Sequence, residues 1–154
     1  MNKNTIWKLK PQIDDLNALG KNTLGDHLGL RFVAIGPNRL WASMPVDERT
    51  KQPMGLLHGG ANVALAETLG SVASQLCIPP AERKMAVGVE INANHLKSAR
   101  SGRVYGMVEP IRIGQSIHVW RISIKNARGQ LLCTSRLTCM IISRQTLKPF
   151  SKEV

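Results

Sequence analysis

Between Pro53 and Ala81 the chain carries one formally charged side chain, Glu67. The run opens Met54-Gly55-Leu56-Leu57-His58-Gly59-Gly60, continues in Ala, Val, Leu and Ser, and meets no further proline until Pro79. So long a stretch fits a helix better than a strand, and a helix with almost no polar face must be covered on most sides. A carboxylate inside it is costly to desolvate unless it is paired, hydrogen-bonded or open to a cleft. Glu67 is therefore either satisfied structurally or engaged in chemistry.

The rest of the chain supplies the cover. A short amphipathic helix is expected over residues 11–20, with Pro11 near its start and Gly20 after its last apolar position. A turn from Thr23 to His27 leads to a strand pair, Leu28 to Gly36 and Arg39 to Val46, separated by Gly36-Pro37-Asn38. Beyond the long helix, Ala86 to Leu96 alternates, with Val87, Val89, Ile91 and Ala93 on one face and Gly88, Glu90, Asn92 and Asn94 on the other. Strands follow over Arg103 to Ile113, Ser116 to Asn126 and Gln130 to Ser143, broken at Ile113-Gly114-Gln115 and Ala127-Arg128-Gly129. One long helix and six antiparallel strands make an α+β roll, and Ala86 to Leu96 is a candidate edge strand open to a second copy. At 154 residues the chain is expected to be a single domain over 1–154, with a basic, frayed tail from 144 to 154.

Charge and motifs narrow the function. A formal charge of +11 calls for considering polyanions, but the basic residues are dispersed and one Tyr, two Phe and three Trp offer little for base stacking, so no nucleic-acid partner is expected. No GxSxG elbow, HExxH, Walker loop or GxGxxG occurs, so neither a metal nor a cofactor is expected. Cys77, Cys133 and Cys139 form no CxxC pair, and no segment has signal-peptide or membrane-span character; the expectation is a cytoplasmic protein.

The helix entrance supplies a chemistry of its own. Unpaired N–H groups and the positive end of the macrodipole lie there, and Gly59 and Gly60 let a carbonyl oxygen approach closely. Aimed N–H donors stabilise the oxyanion of acyl transfer by about 3 kcal/mol each. Glu67 stands eight residues beyond Gly59, about 12 Å along a helix, too far for both to serve one carbonyl from one chain. Ser71, at i+4 from Glu67, shares its face and can orient the carboxylate or a water.

The run Gln52-Pro53-Met54-Gly55-Leu56-Leu57-His58-Gly59-Gly60, followed by Ala66-Glu67-Thr68-Leu69-Gly70-Ser71, resembles the hotdog-fold acyl-CoA thioesterases. Met44-Pro45-Val46-Asp47, Glu90-Ile91-Asn92-Ala93-Asn94-His95 and Ser98 to Val104 extend the resemblance, which runs from about Ile6 to Ile142. Within that superfamily the chain looks most like the PaaI-like branch that holds 1,4-dihydroxy-2-naphthoyl-CoA hydrolases and enterobactin proofreading thioesterases. The resemblance implies a hotdog fold, a central helix wrapped by a six-stranded antiparallel sheet. It also implies hydrolysis of an acyl-CoA, aromatic or bulky, at a site shared between subunits of a dimer that pairs again as a tetramer. Glu67 would be general base or nucleophile, with Gly59 polarising the thioester, and Gln52, His58 and Ser71 in support. Gly88, the turn His95-Leu96-Lys97-Ser98 and the turn Arg112-Ile113-Gly114-Gln115-Ser116-Ile117 would line the CoA channel. A hotdog hydratase or dehydratase, and a non-enzymatic acyl-CoA-binding regulator, are the alternative expectations.

Overall fold

The computed structural model describes residues 5–144. Three helices, α1 (Ile13–Leu19), α2 (Leu24–His27) and α3 (Gly59–Leu76), accompany six strands: β1 (Arg31–Ile35), β2 (Leu40–Pro45), β3 (Lys84–His95), β4 (Arg103–Ile113), β5 (Ile117–Asn126) and β6 (Leu131–Ser143). The strands form one antiparallel sheet in the order β1-β2-β4-β5-β6-β3, and α3 packs on one of its faces. This is the expected hotdog arrangement. Beyond Arg144, the tail expected to fray lies outside the described residues.

The core lies between α3 and the sheet. Leu65, Leu69, Val104, Val108, Trp120, Ile122, Ile124, Leu132 and Leu137 are wholly buried there. Close approach is set by small residues. A side chain on Gly106 would meet Leu65 and Leu69, and one on Gly70 would meet Leu137, so the helix settles directly onto β4 and β6. The Trp120 indole N–H donates to Ser74 Oγ at 2.6 Å, which ties β5 to the helix through a buried polar contact, and Trp7 stacks on Trp120 at 6.5 Å.

The two sheet edges differ. At β1, Asn17 of α1 donates from Nδ2 to Phe32 O at 3.1 Å and accepts the Phe32 N–H at 2.8 Å, so a side chain takes the place of a neighbouring strand. At the other edge β3 runs for 12 residues without such cover among the described residues. An open edge of that length is a template for another strand.

Two expectations need correction. Leu28–Leu30 is not part of β1, because Leu28 caps α2 and Gly29, at φ +68°, turns the chain into the strand. The face assignment in β3 also fails. Gly88 pairs with Cys139 and Glu90 with Thr138, so Val89 is an extra residue, a β-bulge that reverses the alternation. Ala86 and Gly88 face α3 before it, and Ile91 and Ala93 face the core after it, while Val89 is 53% exposed. The predicted partition, with Gly88 on the face of Glu90, Asn92 and Asn94, holds only if the period is unbroken.

Because Leu65 is wholly buried against Gly106, Leu65→Ala is expected to cost about 2–5 kcal/mol of unfolding free energy in urea titration. Leu19→Ala, at a position 78% exposed, should stay within about 0.5 kcal/mol of wild type.

Candidate active site

The chain reaches α3 through a pinned loop. Thr50 Oγ1 donates to Pro45 O at 2.8 Å, the His58 N–H to Thr50 O at 2.8 Å, and the Leu57 N–H to Ala99 O at 2.8 Å. His58 is the N-cap of α3, and its Nδ1 accepts the Gly60 N–H at 2.8 Å. A ring nitrogen that accepts carries no proton, so the His58 proton sits on Nε2. The Ala61 and Asn62 N–H groups donate to His58 O. Of the helix's first donors, only the Gly59 N–H is left without a partner among the described residues. The two-glycine socket read from sequence is thus a single free donor, with Gly60 used to hold the cap.

Around that donor lies a cavity of about 320 Å³ between the loop, the helix start and the end of β3. Its rim is formed by the exposed His95, Leu96, Lys97 and Ser98, its middle by Gln52 and Gly59, and its buried floor by Leu57 and Asn62. A Cβ at position 59 would stand 2.7 Å from His95 Nε2, so a side chain there has to push the exposed His95 ring aside. The Gln52 carboxamide oxygen accepts the Met54 N–H, which fixes that side chain within the loop.

Glu67 lies two turns further along α3. Its carboxylate occupies the space that a side chain at Gly88 would fill, and Ser71 Oγ donates to Oε1 at 3.3 Å. No cation pairs with it among the described residues. Burial holds the carboxyl above the usual carboxylate range, and the Ser71 hydrogen bond opposes the shift. Behind Ser71 stands Cys139, the cross-strand partner of Gly88, with the Ser74 hydroxyl against its thiol. Burial raises the Cys139 thiol, with the Ser74 hydroxyl opposing, so it stays protonated beside the carboxylate.

The predicted residues therefore fall into three places. Gln52, His58, Gly59 and His95 to Ser98 converge on the cavity at the helix start. Glu67, Ser71 and Gly88 form a second group midway along α3 and β3. The Arg112–Ile117 turn is at the far end of the sheet, where the Ile141 N–H donates to Ser116 O at 2.8 Å. It borders a cavity of about 630 Å³ shared with Lys8, Lys84 and His118. His95 pairs with Cys133 and Ala86 with Ile141, so the two turns read as lining one channel stand nine β3 residues apart, about 30 Å, within a single chain.

Sequence reading offers Asn62 only as a candidate hydrogen-bond partner of Glu67, a bond the structure gives to Ser71 instead, and gives no role to His118. Both are buried, with Asn62 Oδ1 and His118 Nδ1 lacking partners among the described residues. Burial depresses His118 protonation, with the Gly114 carbonyl opposing. Asn62 could have been found by the reasoning that found Glu67, since it is a polar residue in the same apolar run. His118 is masked by the alternation of β5, which makes it one more inward position.

Comparison with known proteins follows this geometry. The model of the Thioesterase superfamily matches residues 54–133, which include Glu67, Gly88 and every lining residue of the helix-start cavity except Gln52. The chain belongs to this family. It is 53% identical over 137 residues to the 1,4-dihydroxy-2-naphthoyl-CoA hydrolase of Escherichia coli, covering 89% of this chain and 99% of that protein. It is 43% identical to the proofreading thioesterase EntH of Cronobacter sakazakii, covering 89% and 98%. A solved thioesterase from Haemophilus influenzae superposes with a TM-score of 0.88 at 45% identity, covering 96% of this chain and all of that one. Membership sets the protein among thioester hydrolases.

For this thioesterase family member, Gly88→Ala is expected to leave the thermal midpoint near wild type and to lower thioester cleavage at least about tenfold, because the new methyl group evicts the Glu67 carboxylate from its seat. Unchanged turnover would show that the seat has no part in the chemistry.

Proposed function

We propose that the protein hydrolyses acyl-CoA thioesters, with an aromatic acyl group as preferred substrate, at a site built by two copies of the chain. One observation carries this reading: among the described residues, a carboxylate with no cation beside it and a backbone N–H with no partner occupy the same helix about 12 Å apart, alongside an open edge strand. An antiparallel pairing of two β3 strands about a twofold near Ile91 would set Gly88 of one copy against His95 of the other. Glu67 of one copy then meets the Gly59 N–H of its partner. The same pairing sets Ala86 against Lys97, so the Arg112–Ile117 turn of one copy joins the His95–Ser98 turn of the other. Segments that one chain keeps apart become one channel, with Lys97 and Arg112 available to CoA phosphates.

In the proposed reaction the Gly59 N–H and the helix dipole polarise the thioester carbonyl. Glu67 takes a proton from water as the oxygen adds to the carbonyl carbon. The tetrahedral intermediate then collapses, breaking the C–S bond, and the proton leaves with the CoA thiol. In the nucleophilic alternative, Glu67 itself attacks and expels CoA, and water cleaves the resulting anhydride. Both need the carboxylate ionised and oriented, which is the part given to Ser71, while His58 keeps the helix start in register and Gln52 borders the thioester. The sheet face away from α3 bears exposed Val33, Tyr105, Ile117 and Met140, the surface on which a dimer of dimers would form.

Glu67→Ala is expected to reduce CoA-thiol release about 100-fold or more while acyl-CoA binding is largely retained. Equal thiol release by wild type and variant would remove Glu67 from the reaction. A mixing experiment tests the shared site. Glu67→Ala and Gly59→Val homodimers should each be inactive, whereas subunit exchange at equal amounts should restore about a quarter of wild-type activity, since half the dimers are mixed and each holds one intact site. No recovery after proven exchange would place both groups within one chain.

A further inference from the structure

The carboxamide of Asn62 is an unsatisfied polar group on the floor of the helix-start cavity. The residue is 4% exposed, and its Oδ1 is sealed from solvent with no donor among the described residues. A buried amide oxygen with no donor is a net cost to the fold, and each such group in a folded protein calls for an explanation. Three features define what could satisfy it. Helical side chains lean toward the N-terminus, so Asn62, three residues beyond Gly59, lies beside the free Gly59 N–H. The cavity deepens from the exposed His95–Ser98 rim to the buried Leu57 and Asn62. A thioester whose carbonyl sits at Gly59 must send its large, charged CoA arm out over the rim, so the acyl group is what reaches the floor. Finally, Oδ1 requires a donor, which a plain hydrocarbon acyl group does not bring. The amide's broad terminal torsion lets either end turn to the ligand.

The geometry points to Asn62 as a specificity-determining residue, one that hydrogen-bonds a hydroxyl carried by the acyl group close to its thioester carbonyl; this rests on the acyl-CoA thioesterase reading above. The hydroxyl would donate to Oδ1 or accept from Nδ2, and a substrate without it would leave the amide buried and unpaired. Such an arrangement rejects the analogue that lacks the group more strongly than an apolar pocket could.

The experiment compares 2-hydroxybenzoyl-CoA with benzoyl-CoA, which differ by one hydroxyl, in the full-length wild type and in Asn62→Leu and Asn62→Ala. Wild type is expected to favour the hydroxylated substrate in kcat/KM by about tenfold or more. Asn62→Leu should bring the ratio near one by losing turnover of the hydroxylated substrate while keeping that of benzoyl-CoA. Its thermal midpoint should hold or rise, because an unpaired amide has been replaced by an apolar group of similar shape. Asn62→Ala, which adds no bulk, should flatten the ratio in the same way. A wild-type ratio near one, an unchanged ratio in both variants, or an equal fall for both substrates would overturn the assignment; the last would mark Asn62 as structural or as a contact to the CoA arm. Cleavage of neither thioester by wild type, together with inertness toward a wider acyl-CoA panel, would remove the thioesterase reading and this inference with it.

Discussion

The Glu67 carboxylate rests in the space left by a missing side chain at Gly88, and much of the fold serves to keep that space empty and correctly aimed. The bulge at Val89 turns Gly88 toward α3 while returning Ile91 and Ala93 to the core two residues later. Without the extra residue, one half of β3 would present the wrong face to the helix. Gly70 and Gly106 let α3 lie close enough to the sheet for the carboxylate to reach its seat. The Ser71 hydroxyl, with Cys139 and Ser74 packed behind it, is what supports the charge in place of a cation. A neutralising lysine or arginine would have secured Glu67 more firmly, at the cost of its freedom to take a proton.

The order of the elements was legible in the sequence because each depends on local pattern. A long uncharged run marks α3, alternation marks the strands, and glycine clusters mark the turns. The spacing of His58, Gly59, Glu67 and Ser71 was equally legible, since a helix converts residue number into distance and direction. What escaped was non-local. The single-residue bulge leaves no mark on a period of two when the residues around it are Val, Gly and Val, so the facing of Gly88 was read wrongly. The capture of the Gly60 N–H by His58 depends on a side-chain rotamer, and the cost of burying Asn62 appears only once its neighbours are known. Cys139 reads simply as a small apolar residue until the register sets it beside Gly88.

α3 divides its labour along its length. Its first turn leaves the Gly59 N–H free among the described residues, its middle holds a carboxylate, and Gln75 near its end accepts the Ala86 N–H at 3.2 Å, which fastens β3 alongside. Glu67, Ser71 and Gln75 recur every four residues, so the polar stripe of this mostly apolar helix follows β3. An edge strand flanked by the helix that bears Glu67 and the free Gly59 N–H is where the proposed shared site would lie.

The clasp of Asn17 on Phe32 has a consequence for how far assembly can go. Had both margins of the sheet been bare, strand could add to strand without limit and the outcome would be a fibre. With the β1 margin clasped at Phe32 by its own helix, each copy would have one valence in the plane of the sheet. Two copies joined through β3, as proposed, would exhaust it, and growth in that direction would end as a closed, countable particle.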